Sequence, residues 1–128
     1  MSRERRNAEA RGRRAELWAA FWLMLKGYRV IALRETTPSG ELDLVARKGN
    51  VLAIVEVKAR PSLEAGIHAL GYRQQQRIMR GASWLAGRRR ELAGLAIRYD
   101  LMVIRPFRLP FHSRQAFWPE GRDASDFN

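Results

Sequence analysis

Two apolar runs joined by Gly49-Asn50 constrain this chain more than any other stretch. They read Gly40-Glu41-Leu42-Asp43-Leu44-Val45-Ala46-Arg47-Lys48 and Val51-Leu52-Ala53-Ile54-Val55-Glu56-Val57-Lys58. Leucine, valine, isoleucine and alanine at this density specify strands inside a sheet. Gly-Asn between two such runs is a two-residue hairpin signal. Asp43, Glu56 and Lys58 interrupt the apolar pattern, and a charge in that setting is costly unless it is paired or bound to an ion.

The turn sets a register. With Gly49-Asn50 as the loop, Lys48 pairs with Val51, Asp43 falls opposite Glu56, and Glu41 falls opposite Lys58. Opposed Cβ atoms lie about 4.5–5.5 Å apart. A loop one residue longer or shorter would put the two acids on opposite faces. Carboxylates this close repel each other, so either one takes up a proton or a cation sits between them. A hard divalent cation suits oxygen ligands, and Mg²⁺ is the usual one beside phosphates. The same residues also admit a purely structural reading, a Glu41–Lys58 ion-pair ladder with Asp43 and Glu56 solvated at a sheet edge.

The 128 residues suit one domain. Residues 1–120 are expected to form it, with 1–11 either frayed or laid against nucleic acid and 121–128 a disordered tail. A helix is predicted over Arg3–Lys26, with an apolar stripe through Leu17, Phe21 and Met24 and through Trp18, Trp22 and Leu25. Glu16 falls one position before that stripe, and Gly27 suits the helix C-cap. A short strand, Tyr28–Leu33, and a turn-rich connection, Glu35–Gly40, lead into the hairpin, whose second strand ends before Pro61. Residues 62–70 read as a loop or a short helical turn. A second helix spans about Arg73–Gly87, with Ile78, Ala82 and Leu85 inward and Arg73, Gln74, Gln76, Arg77 and Arg80 outward. Leu95–Ile104 is a strand with Asp100 and Arg98 on one face. The tail with Phe107, Phe111, Phe117 and Trp118 is a loop or edge strand. The order α-β-β-β-α-β describes an α/β (α+β) domain, a mixed sheet flanked by helices.

Composition narrows the chemistry. A net charge of +11 favours a polyanionic partner. Arg60, Arg73, Arg77 and Arg80 are candidates for gripping backbone phosphates, contacts that position a nucleic acid without reading its sequence. The absence of cysteine excludes disulfides, thiolate catalysis and cysteine-based zinc sites. His68 and His112 lie far apart without metal-motif spacing and read as surface or loop residues. No apolar run approaches the roughly 18 residues of a membrane span, so a cytoplasmic protein with no membrane partner is expected.

Asp43, twelve residues, Glu56-Val57-Lys58 resembles the PD-(D/E)XK nuclease signature. Glu16, Gly27-Tyr28-Arg29-Val30, Gly40-Glu41-Leu42-Asp43-Leu44, Val55-Glu56-Val57-Lys58-Ala59-Arg60 and Arg98-Tyr99-Asp100-Leu101 follow in an order that resembles the small bacterial YraN-like proteins of the UPF0102 type. These are similar to archaeal Holliday-junction resolvases, and the resemblance runs from Gly12 to Trp118. It implies a restriction-endonuclease-like fold and a Mg²⁺- (or Mn²⁺-) dependent DNA endonuclease, with branched DNA one candidate substrate. It makes Asp43 and Glu56 metal ligands, Lys58 the residue that orients or activates water, and Glu16 the leading-helix acid that completes the site. Glu41 and Gln75 become supporting residues behind them. The chain departs at Gly71-Tyr72-Arg73-Gln74-Gln75, where related sequences tend to carry Thr-Pro-x-Lys-Gln. By analogy with two-site resolvases it also implies a homodimer. The alternative is a nucleic-acid-binding module of the same fold that does not cleave.

Overall fold

The computed structural model describes residues 2–119. Its elements are α1 (Arg3–Leu25), β1 (Arg29–Thr37), β2 (Gly40–Lys48), β3 (Val51–Ala59), α2 (Leu63–His68), α3 (Tyr72–Arg88), β4 (Ala96–Ile104) and β5 (Phe111–Phe117), with a 3₁₀ turn at Arg90–Leu92. The five strands form one open sheet in the order β1-β2-β3-β4-β5. Only β3 and β4 run parallel, because the chain between them crosses over through α2 and α3. The result is the expected mixed α+β sheet flanked by helices, lengthened by α2 and by the edge strand β5. The expected tail at 121–128 lies outside the described residues. Among the described residues, no helix is long and apolar enough to cross a membrane.

The first strand corrects the sequence reading. It continues past Leu33 to Thr37, and only Pro38-Ser39 remains as a turn. Thr36 and Thr37 favour extended backbone, and Pro38 presets the first loop position. Gly40 then resumes the ladder at φ +122°, a value open to glycine.

The sheet is covered on both faces. Leu42, Val45, Leu52, Ile54 and Leu101 pack toward α3, against Ile78, Ala82 and Leu85. Leu44, Ala46, Ala53, Val55 and Met102 pack toward α1. This explains the unbroken apolar run in β3, where Leu52 to Val57 are all buried.

Helix α1 lies the other way round from the predicted amphipathic face. Its buried residues are Ala15, Glu16, Ala19, Ala20 and Leu23, while Leu17, Trp18, Phe21, Met24 and Leu25 are exposed. The alanines let the helix approach the sheet closely, which bulky side chains on that face would prevent. The expected fraying segment is helical from Arg3, where the Ser2 hydroxyl accepts the Arg5 N–H at 3.1 Å. Gly27, at φ +91°, ends the helix as expected. This orientation turns Glu16 inward, toward the place where β2 and β3 part.

Candidate functional site

The Gly49-Asn50 turn imposes the predicted register. Gly49 is at φ +59°, and the pairs run from Lys48–Val51 to Leu44–Val55. There the ladder stops. Asp43 turns its carboxylate across the gap, and Oδ2 accepts the Val57 N–H at 2.9 Å, in the place of a ladder bond. On its other side, the β1–β2 pairing passes from Leu33–Leu44 to Glu35–Leu42. Arg34, left between them, takes φ +53°. The parted strands and α1 enclose a cavity of about 300 Å³, lined by Glu16, Asp43, Glu56 and Lys58 together with Arg11 and Arg60. The four residues expected to carry chemistry therefore meet in one place, supplied by α1, β2 and β3.

Glu56 is the electrostatic centre. Its Oε1 accepts from Gln74 Nε2 at 2.8 Å and lies 3.5 Å from Lys58 Nζ. Burial and then the neighbouring Asp43 carboxylate push its pKa up to about 8, against the partial relief that Lys58 offers. Glu16 is also raised, first by burial and then by Asp43, but its Oε1 is held by Arg34 Nε at 2.6 Å, which acts in the opposite direction. Among the described residues, no three acidic or imidazole groups stand close enough to ligate a metal by themselves. Asp43 and Glu56 supply two carboxylates; burial first and then repulsion by Asp43 raise the pKa of Glu56, and a cation in place of its proton would relieve the repulsion. Two carboxylates fit Mg²⁺, which keeps several waters and takes substrate phosphates as further ligands.

A pH dependence follows. The folded state holds a proton on Glu56 up to about 8, whereas the unfolded chain releases it near the ordinary value of 4.5. Between those values the native state binds more protons, so this contribution to stability is complete below 4.5 and is lost as pH rises through 8. Urea unfolding of the metal-free protein between those limits should show a decline that Glu56→Gln removes. A decline of equal slope in the variant would show that Glu56 is not its source.

Two expected supporting residues are elsewhere. Glu41 does not face Lys58. It is exposed in the β1–β2 ladder opposite Thr36, because β2 and β3 separate before reaching it. Gln75 does not reach the site but donates to the Leu70 carbonyl at 3.2 Å. Gln74 takes that place, since it lies one helical turn before the buried Ile78 and so faces the sheet rather than the outer face assigned to it. Arg73 and Arg80 are exposed on α3, and Arg77 lies over Gly40, whereas Arg60 lines the cavity itself. His112 is not a surface residue. Its side chain is buried, and Nε2 stands 2.7 Å from Asp100. Sequence reasoning laid the basic start of α1 against nucleic acid without singling out Arg11, and it missed Arg34. Arg11 was accessible from helical spacing, one turn before Ala15, but nothing in a strand pattern announces the left-handed Arg34.

The sequence pattern described as "Uncharacterised protein family UPF0102" matches residues 15–104, which takes in every residue of this cavity except those before Ala15. The chain is similar to the UPF0102 protein Mmar10_3014 of Maricaulis maris, 48% identical over 126 residues and covering 98% of each chain. It is also similar to the UPF0102 protein Atu0303 of Agrobacterium fabrum, 47% identical over 116 residues, or 91% of this chain and 95% of that one. A UPF0102 protein of Parvibaculum lavamentivorans is 50% identical over 108 residues, with 84% and 81% covered. At that identity over nearly whole lengths, the chain belongs to the UPF0102 family.

Proposed function

We propose that this protein is a cytoplasmic, Mg²⁺- or Mn²⁺-dependent DNA endonuclease of the PD-(D/E)XK type that hydrolyses phosphodiester bonds. The observation that carries the reading is half-buried Asp43 beside buried Glu56, with Lys58, in one cavity. Asp43 and Glu56 would hold the metal, which when bound would acidify a water and polarise a phosphoryl oxygen. Gln74 fixes the orientation of Glu56. Lys58, confined beside Glu56, presents a cation where charge develops on the phosphate. Arg11 and Arg60 at the cavity wall grip the flanking phosphates. Resolving a four-way junction would require two such sites, which a homodimer would supply.

A second reading, a binding module of the same fold without cleavage, is favoured by one feature, the engagement of Glu16 with Arg34 rather than with the acid pair. Incubation with four-way, flap, linear duplex and single-stranded DNA, with Mg²⁺, Mn²⁺ or chelator, separates the two. Metal-dependent strand breaks that Glu56→Ala abolishes are expected. Salt-sensitive binding without product supports the second reading, and no binding at low salt removes both.

A further inference from the structure

A second concavity opens beside the acid cavity. This groove, of about 700 Å³, is lined by Arg11, Arg14, Arg60 and Arg105 and by Trp18 and Phe107. It shares Arg11, Ala15, Ala59 and Arg60 with the acid cavity, so a strand whose phosphate lies at Glu56 and Lys58 continues into it. Four arginines line it, and no acidic residue does among the described residues.

Three features point to what it takes. Trp18 is 49% exposed on the outward face of α1, and Phe107 is fully exposed. Phe107 is also held at φ +57°, a conformation that costs free energy for a bulky residue and is tolerated chiefly where function uses it. Arg105 lines the groove, and its buried Nε has no hydrogen-bond partner in the protein. Arginines that track a backbone, combined with aromatic faces, are the physical requirements for holding unpaired nucleotides. A duplex cannot use those rings, because its bases are stacked on one another.

We infer that this groove binds a single-stranded DNA segment continuous with the scissile strand, its bases stacked on Trp18 and Phe107 and its phosphates held by Arg11, Arg14, Arg60 and Arg105. The inference rests on the nuclease reading for the position of the scissile phosphate and deepens it. The preferred substrate is then a junction between duplex and single strand, such as a flap or fork, rather than an uninterrupted duplex.

The test is made in chelator, so that cleavage does not enter it. Fluorescence anisotropy compares a blunt duplex with the same duplex carrying an oligothymidylate arm. The arm is expected to tighten binding about tenfold. Trp18→Ala combined with Phe107→Ala should remove most of that gain and leave blunt-duplex affinity within about twofold, while Trp18→Phe keeps it. Both side chains are exposed, so an unchanged melting temperature verifies that the double variant is folded. An arm that confers no gain, or a gain that survives the double substitution, overturns the inference. A protein that prefers the arm but never cleaves would refute the nuclease reading and leave the groove standing. One that cleaves without preferring the arm would do the reverse.

Discussion

Under the proposed nuclease activity, Lys58→Ala is expected to slow metal-dependent cleavage by about 10²–10³-fold at saturating metal. The side chain is confined, with 13% of its surface exposed, and its ammonium stands 3.5 Å from Glu56. Two other cations nearby are held differently. Arg34 is committed to Glu16, and Arg60 donates to the carbonyl of Ala59 from an exposed position. The substitution also removes the cation that lowers the pKa of Glu56, so the variant should require higher pH or more metal than the native protein. Lys58→Arg should recover little, because a planar guanidinium cannot take the place of a compact ammonium point charge. Single-turnover rates, with DNA affinity measured separately, distinguish a lost chemical step from lost binding. A rate within about fivefold of the native value would show that Lys58 carries none of the chemistry proposed for it.

Turn chemistry made the central hairpin legible. Gly49-Asn50 fixed the pairing as far as Leu44–Val55, and with it the shared location of Asp43 and Glu56. What the pattern did not reveal is where pairing ends. That is decided by a side chain competing with the backbone, as Asp43 captures the Val57 N–H. The same device recurs at the far side of the sheet. Asp100 accepts the Gln115 N–H at 3.2 Å where the β4–β5 register shifts, and Gln115 takes φ +57°. Helix faces were less legible for another reason. In α1 both faces are apolar, so periodicity offers two candidates and packing chooses the one with small residues. In α3 the error was a single residue, but one residue is roughly 100° around a helix, enough to exchange Gln75 for Gln74. The four residues that the family resemblance singled out, Glu16, Asp43, Glu56 and Lys58, line one cavity, but the resemblance gave no hint of Arg34, which holds the Glu16 carboxylate.

The second large effect is on stability and lies away from the cavity. Asp100→Ala is expected to cost about 3–5 kcal/mol, a large part of the roughly 5–15 kcal/mol that holds a domain folded. Asp100 is fully buried and accepts from Arg98 Nε at 2.8 Å, from Arg98 Nη2 and His112 Nε2 each at 2.7 Å, and from the Gln115 backbone. Arg98 also bonds the Tyr28 hydroxyl, and Lys26 Nζ lies 2.7 Å from His112 Nδ1, which together bind the end of α1 to β4 and β5. Burial alone would raise the pKa of Asp100, but the hydrogen bonds from His112 and Arg98 outweigh it and hold the carboxyl below its ordinary value. The contribution is therefore present above that value and is lost as pH falls through the depressed native one. Alanine leaves the Arg98 cation buried without its counter-ion, and Asp100→Asn turns amide hydrogens toward donors, so both should destabilise. Removing both charges, as Arg98→Met with Asp100→Leu, should cost less than Asp100→Ala, because no buried ion is left uncompensated. Urea unfolding of the single and double variants measures this. If Asp100→Ala cost less than about 1 kcal/mol, or if the double variant were the less stable, the network would not be what anchors α1, and with it Glu16, to the sheet.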